Sequence, residues 1–339
     1  MAFERARLKN DFGDPAGEAR ACRERSAVFD FSFLECVSLR GPGARAVIES
    51  YVRRPLNKLA QGAIAYAVRT DASAMAVADL TVWRTETDTY EIMSGRSEDV
   101  TALMACASTE VEVTNVGADR AVFAAQGPDT LNVLHQLGDV DKLASLPYFH
   151  FAPTELAGVA CTVGRLGYTG EAGFEIIVPR VHASRLWAEL SRHARPAGFV
   201  AADMLRIEAG FVLFDNEFRV PVSPEEAGLA QFTAQRNAHK IPLKLISFRA
   251  EAGYLPSPWV ARRAPERPER PGVIAVTSAC HSIAAGGVLG LGFVAASTAD
   301  AAMLEDPSRQ FRDIRPTQFP FYDPSKRRPR LPWRTFEPS

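Results

Sequence analysis

The chain has 339 residues, 47% of them hydrophobic, enough for two or three domains of ~100–150 residues. Its 39 basic and 40 acidic side chains leave a net charge of −1, which argues against a nucleic-acid partner, since phosphate attraction selects for a basic excess. The longest weakly polar run, Ala284 to Ser297, falls short of the ~20 residues a membrane span needs, and the charged opening MAFERARLKNDFGD has no apolar core, so the chain reads as cytoplasmic with no membrane partner.

In chain order, Val37–Gly41 (VSLRG) alternates like a strand and ends on the turn pair Gly41-Pro42. GARAVIESYV then predicts a helix with Val47, Ile48 and Tyr51 on one face. TYEIMSG, ACTVGRLGY and FEIIVP are strand candidates, the last closed by Pro179. DTLNVLHQLG predicts a short helix capped by Asp129 and stopped by Gly138. The stretch Arg180 to Arg195 is amphipathic, with Leu186, Trp187 and Leu190 spaced to cover a core. Strands and helices mixed this way predict an α+β class, not a doubly wound parallel sheet.

From about Asn237 the texture changes. LKLISF, GVIAVTSA and VLGLGFVAA are short strand-like runs divided by Gly and Pro, which predicts a C-terminal β-barrel over 237–325. The Pro- and Arg-rich segment from Tyr254 to Gly272 is expected to be an exposed loop, and 326–339 a basic, Pro-bearing tail, solvated or docking a partner.

Conventional signatures are missing. Cys22, Cys36, Cys106, Cys161 and Cys280 form no CxxC pair and are odd in number, so they read as reduced thiols rather than disulfides or zinc ligands. The six histidines show no metal-ligand spacing, and no P-loop, GxSxG or HExxH occurs. No metal is expected.

Two carboxylates stand out. Period-two reading of AMAVADLTVW sets Met75, Val77, Asp79, Thr81 and Trp83 on one strand face, so Asp79 is a carboxylate among large apolar neighbours. Buried and unpaired, such a group has a raised pKa; at a strand end it would simply meet water. Glu175, one residue into FEIIVP, faces away from Phe174, Ile176 and Val178 and follows the double-glycine turn GYTGEAG.

RLGYTGEAGFEIIVP (Arg165–Pro179) resembles the signature hairpin of the glycine-cleavage T-protein, or aminomethyltransferase, family. AVFDFS, AAQGP, LPYF, DMLRIEAGFVLFDNE (Asp203–Glu217) and SPEEAGL follow in that family's order, with TSACHS and Pro320–Tyr322 as weaker echoes. The resemblance is good from about residue 20 to 232 and thin beyond. It implies two mixed α/β sub-domains within 1–236, roughly 50–150 forming one of them, and a C-terminal barrel, around a central cavity for tetrahydrofolate. It implies Asp79 as the catalytic carboxylate, and Glu175, Tyr168, Tyr66 and Leu34 as residues that bind the folate.

Departures from the family pattern fall at Ala74, Met75 and Ala78 before Asp79, at Phe33-Leu34, at Gly95 and at Ala202. They imply a retained folate pocket with a changed donor side. The expectation is a methylene accepted onto tetrahydrofolate from an N-methyl amine-derived iminium or formaldehyde, beside an oxidative partner subunit. The alternatives are a tetrahydrofolate-dependent O- or S-demethylase forming methyltetrahydrofolate, and a non-catalytic folate-binding accessory or structural subunit.

Overall fold

The computed structural model describes residues 8–234, 242–251, 255–256, 258–300 and 302–333. Asn237 and Tyr254, where the expected barrel and loop begin, and the last six residues lie outside them. The fold is mixed α+β, built on three sheets.

The first sheet runs in the order Arg195–Ala197, Ala27–Asp30, Arg120–Gln126, Gly173–Pro179, Val159–Gly164, Phe151–Leu156. Only its pairing of Ala27–Asp30 with Arg195–Ala197 is parallel. The second sheet is antiparallel throughout, in the order Ile64–Thr70, Ala76–Glu86, Thr89–Ser94, Glu35–Arg40, Glu112–Asn115.

Each of these sheets buries its outer face under helices. Leu186 and Leu190 of the helix Ala183–His193 cover the first, against Phe174, Ile176 and Val178. Ile48 and Val52 of Ala44–Val52 cover the second, against Leu80 and Val82. The inner faces meet in one shared core with the helix Phe199–Glu208. The helix after Gly127-Pro128 starts at Thr130 as expected, but the Asp129 side chain makes no capping bond to it.

The C-terminal strands form an open five-stranded antiparallel sheet in the order Trp259–Val260, Ile274–Ser282, Gly287–Ala295, Leu243–Glu251, Arg312–Thr317. This corrects the expected barrel: among the described residues no ladder joins the two edge strands. One edge is only two residues long and preceded by Pro258, and the other carries Pro316; proline lacks the N–H that a closing ladder would need. One face of the sheet has its own core around Phe248, Trp259 and Phe311, while Leu289, Leu291 and Phe293 on the other join the shared core.

Two further expectations change. The described part of the Arg/Pro loop is not merely exposed: Trp259 is buried, and Arg267 forms an ion pair with the carboxylate of Glu226. The basic tail, as far as it is described, folds back onto this chain. Trp333 stacks on Phe174 at 4.9 Å, Pro329 is buried, and Arg328 reaches Glu171 at 3.4 Å. An indole beside an apolar sheet face and a guanidinium beside a buried carboxylate both gain more there than in water. Four of the five cysteines are buried and all are free, and burial pushes the thiols of Cys22, Cys36 and Cys161 up to about 12.

Candidate functional site

A cavity of about 160 Å³ opens between the inner faces of the first two sheets. The strand Ala76–Glu86 delivers its acid. Ala78, Leu80 and Val82 are fully or nearly fully buried, the latter two in the helix-side core, so Asp79, between them, faces the cavity with Thr81. Asp79 is thus in mid-strand, opposite Val68, and not at a strand end. Tyr66, on the neighbouring strand, donates its hydroxyl to Asp79 Oδ2 at 3.1 Å. Asp79 keeps some solvent contact through the cavity, yet protein surrounds it. Burial pushes its carboxyl up to about 6, against the Tyr66 hydrogen bond, which favours the anion.

Glu175 comes from the first sheet, between Ala124 and Gly164 on the adjacent strands. It is 8% exposed, and its carboxylate has no hydrogen bond or ion pair among the described residues. Burial alone pushes it up to about 7. A buried carboxylate without a donor is costly, and this one opens into the cavity.

The loop that precedes Glu175 is shaped by Gln126. Its Nε2 donates to the carbonyls of Leu166 and Phe174, and its Oε1 accepts from Thr169. A Cβ on Gly167 would overlap the Gln126 carboxamide, which explains a glycine at that position. The loop sets Tyr168 in the cavity wall, where its hydroxyl donates to the Val212 carbonyl and its ring stacks on Phe211 at 6.0 Å.

All five residues singled out in the sequence therefore line one cavity: Asp79, Glu175, Tyr168, Tyr66 and Leu34. The sequence reading missed most of its apolar wall, supplied by Phe31, Phe149, Leu166, Phe199, Leu213 and Phe214. Alternation could have found none of these, because they sit on loops, on the four-residue helix Phe214–Glu217 or on a helix buried on every side. Of the departures, Phe33, Leu34, Gly95 and Ala202 do line the cavity. Ala78 does not: it faces away from Asp79, is fully buried, and bears on packing instead.

Two buried ionic networks hold the frame. Arg206 bonds Asp203 at 2.8 Å, Glu217 at 2.9 Å and the Ser278 hydroxyl at 2.7 Å. Burial works against its charge, but Glu217 and Asp203 outweigh it and raise its pKa. Glu217 also accepts from the Leu213 amide, fixing the turn that carries Leu213 and Phe214. In the second network Arg23 bridges Glu171 and Glu208, while Tyr322 donates to Glu171 and Ser282 to Glu208. The sequence echoes TSACHS and Pro320–Tyr322 thus supply hydroxyl partners to these acids.

Among the described residues no cluster of side chains could hold a metal ion, and no helix is long and apolar enough to cross a membrane.

Comparison with known proteins gives a consistent result. The family model of the GCVT N-terminal domain matches residues 3–237. An aminomethyltransferase of Desulfitobacterium hafniense is 31% identical over 245 residues, covering 70% of this chain and 67% of the relative. One from Moorella thermoacetica is 30% identical over 325 residues, covering 90% and 88%. The crystal structure of the glycine cleavage system aminomethyltransferase T from Bartonella henselae shares the fold, with a TM-score of 0.74 at 19% identity over 93% of this chain and 92% of its own.

Proposed function

The chain belongs to the GCVT N-terminal domain family and is an enzyme of the aminomethyltransferase type; on that premise we propose that it transfers a one-carbon unit to tetrahydrofolate. The observation that carries this reading is Glu175: a buried carboxylate with no donor of its own, open to a cavity that also holds Asp79. Such a group calls for a ligand that presents N–H donors, and the amidine-like edge of a pterin, a ring N–H beside an amino group, is that ligand. The residues present therefore fit the folate. Glu175 would accept from that edge, and Tyr168, Tyr66 and Leu34 would flank the ring.

Tetrahydrofolate, when bound, supplies the nucleophilic nitrogen that takes the one-carbon unit. Asp79 works as the anion near that nitrogen: it orients the acceptor, stabilises positive charge that develops there and holds the proton that must leave. Tyr66 keeps the Asp79 carboxylate in place through its hydroxyl. The apolar wall excludes water, which protects a formaldehyde-level donor from hydrolysis.

The donor is an N-methyl amine-derived iminium or formaldehyde. Transfer of the methylene from the iminium breaks its C–N bond and releases the amine in protonated form, transfer from formaldehyde breaks its C–O bond and releases water, and neither consumes an oxidant. Making the iminium from the amine does remove two electrons, so a separate amine oxidase or dehydrogenase must act first. That enzyme is the partner this reading requires.

Calorimetry with tetrahydrofolate tests the proposal. Wild-type protein should bind it, and Glu175→Ala should lose ~1.5–3 kcal/mol of that affinity, the range for hydrogen bonds to a charged group. Absence of binding by the wild type would overturn the reading.

A further inference from the structure

We infer that the one-carbon donor is the iminium of a methylated amine that bears no carboxylate, formed by the separate oxidising enzyme and held, like its parent ammonium, as a cation between Asp79 and an aromatic wall formed by Phe33 and Phe214. The inference rests on the transferase reading above and specifies the donor. It starts from the end of the second sheet. Leu80 pairs with Ser94, and Ser94 pairs with Glu35, so Asp79, Gly95 and Leu34 come side by side there. The short helix Phe214–Glu217 packs against the strand that carries Asp79. Gly95 leaves the space that the Phe214 ring fills, since a Cβ at 95 would lie 2.7 Å from Phe214 Cε1. Phe33 lines the same cavity and packs on Phe31 at 5.7 Å between centroids.

Charge decides the class of donor. The described lining contains two carboxylates, Asp79 and Glu175, and no Lys, Arg or His. The guanidiniums of Arg96 and Arg54 do not line the cavity and are engaged with backbone carbonyls. Arg96 donates to the Val77 carbonyl at 2.7 Å and lies 5.8 Å from the Phe214 ring centre, and Arg54 donates to the Tyr66 carbonyl. Among the described residues, a donor carboxylate would meet two acids and no cation to offset its lost hydration. An ammonium or iminium brings the charge that Asp79 lacks, and aromatic rings favour it further. Glu175, on the other sheet, remains for the pterin.

The test compares three small probes by calorimetry on the full chain, with and without tetrahydrofolate. They are N-methylbenzylamine, its uncharged isostere benzyl methyl ether, and the carboxylate-bearing N-methylglycine. The amine should bind about tenfold tighter than the ether, the order of a hydrogen bond to the charged Asp79 carboxylate, and tighter than N-methylglycine by at least as much. Asp79→Asn should bring amine and ether together, whereas Phe214→Ala should weaken both. The wild-type ratios stand even if a variant does not fold. Equal binding of amine and ether, no binding of the amine, or preference for N-methylglycine would overturn the inference. If tetrahydrofolate binds while the amine preference is absent, only the donor assignment fails; if tetrahydrofolate does not bind, the transferase reading falls with it.

Discussion

Glu175→Gln separates the electrostatic cost of the site from its shape, because it keeps the side chain's size and removes its ionisation. Burial raises the Glu175 carboxyl from 4.5 to about 7 in the folded protein. Between those values the native state holds a proton that the unfolded chain has released, so stability falls as pH rises through that window. At about pH 8 the loss is complete and amounts to roughly 3 kcal/mol, from a shift of about 2.5 units at 1.36 kcal/mol each. The variant escapes this loss but buries an amide that also wants partners, so roughly 1–2 kcal/mol of gain should remain at about pH 8 and none at about pH 5. Asp79, raised from 3.8 to about 6, contributes the same sign to both proteins and cancels in the difference. Urea unfolding at the two pH values reads the effect. A stability difference between variant and wild type that does not change with pH would refute the account of Glu175 as an unpaired buried acid. Tetrahydrofolate should then shift the wild-type midpoint upward and the variant's much less, since an amide offers one acceptor where the pterin edge presents two donors.

Asp79→Asn keeps the shape and the Tyr66 contact but removes the charge, so turnover should drop ~100-fold or more with folate affinity nearly unchanged; wild-type turnover would sink the assignment. Because the anion is the working form, wild-type turnover should rise as pH passes about 6, the value to which burial lifts this carboxyl, and a flat profile across that range would count against it. Arg206→Met leaves Asp203 and Glu217 buried without their cation and should cost ~3–5 kcal/mol in unfolding experiments; a loss within error would mean the network is held by its hydroxyl and amide donors alone.

The two acids were legible in the sequence because each sits in a strand whose alternation is clean. Asp79 lies between Ala78 and Leu80, Glu175 between Phe174 and Ile176, and in both cases the neighbours take the outer core. Period two then leaves the acid only the inner face. The helix Phe199–Glu208 was not legible as an amphipathic helix, because all ten of its residues are buried and no polar face marks the period. The contacts made by the tail were not legible for a related reason. Its composition of Pro and Arg suits solvent, yet Trp333 finds Phe174, and Arg328 finds Glu171, more than 150 residues earlier in the chain. Strand-like runs after residue 242 were real, but closure into a barrel depends on edge length, which composition does not report.

The open third sheet bears on the site although none of its strands lines the cavity. Its strand Ile274–Ser282 presents Thr277 and Ser278 to Glu217, and Ser282 to Glu208. Glu217 in turn holds the Leu213 amide and Arg206, and so sets where Phe214 stands beside Gly95. The sheet therefore acts on the cavity through a few hydroxyl groups rather than through its apolar surface. Apolar positions of a sheet core accept many side chains of similar volume, but a hydroxyl facing a buried carboxylate accepts few. The cavity wall is thus a property of three sheets together: Asp79 comes from the second, Glu175 from the first, and the third, through Ser278 and Glu217, sets the position of the Phe214 ring.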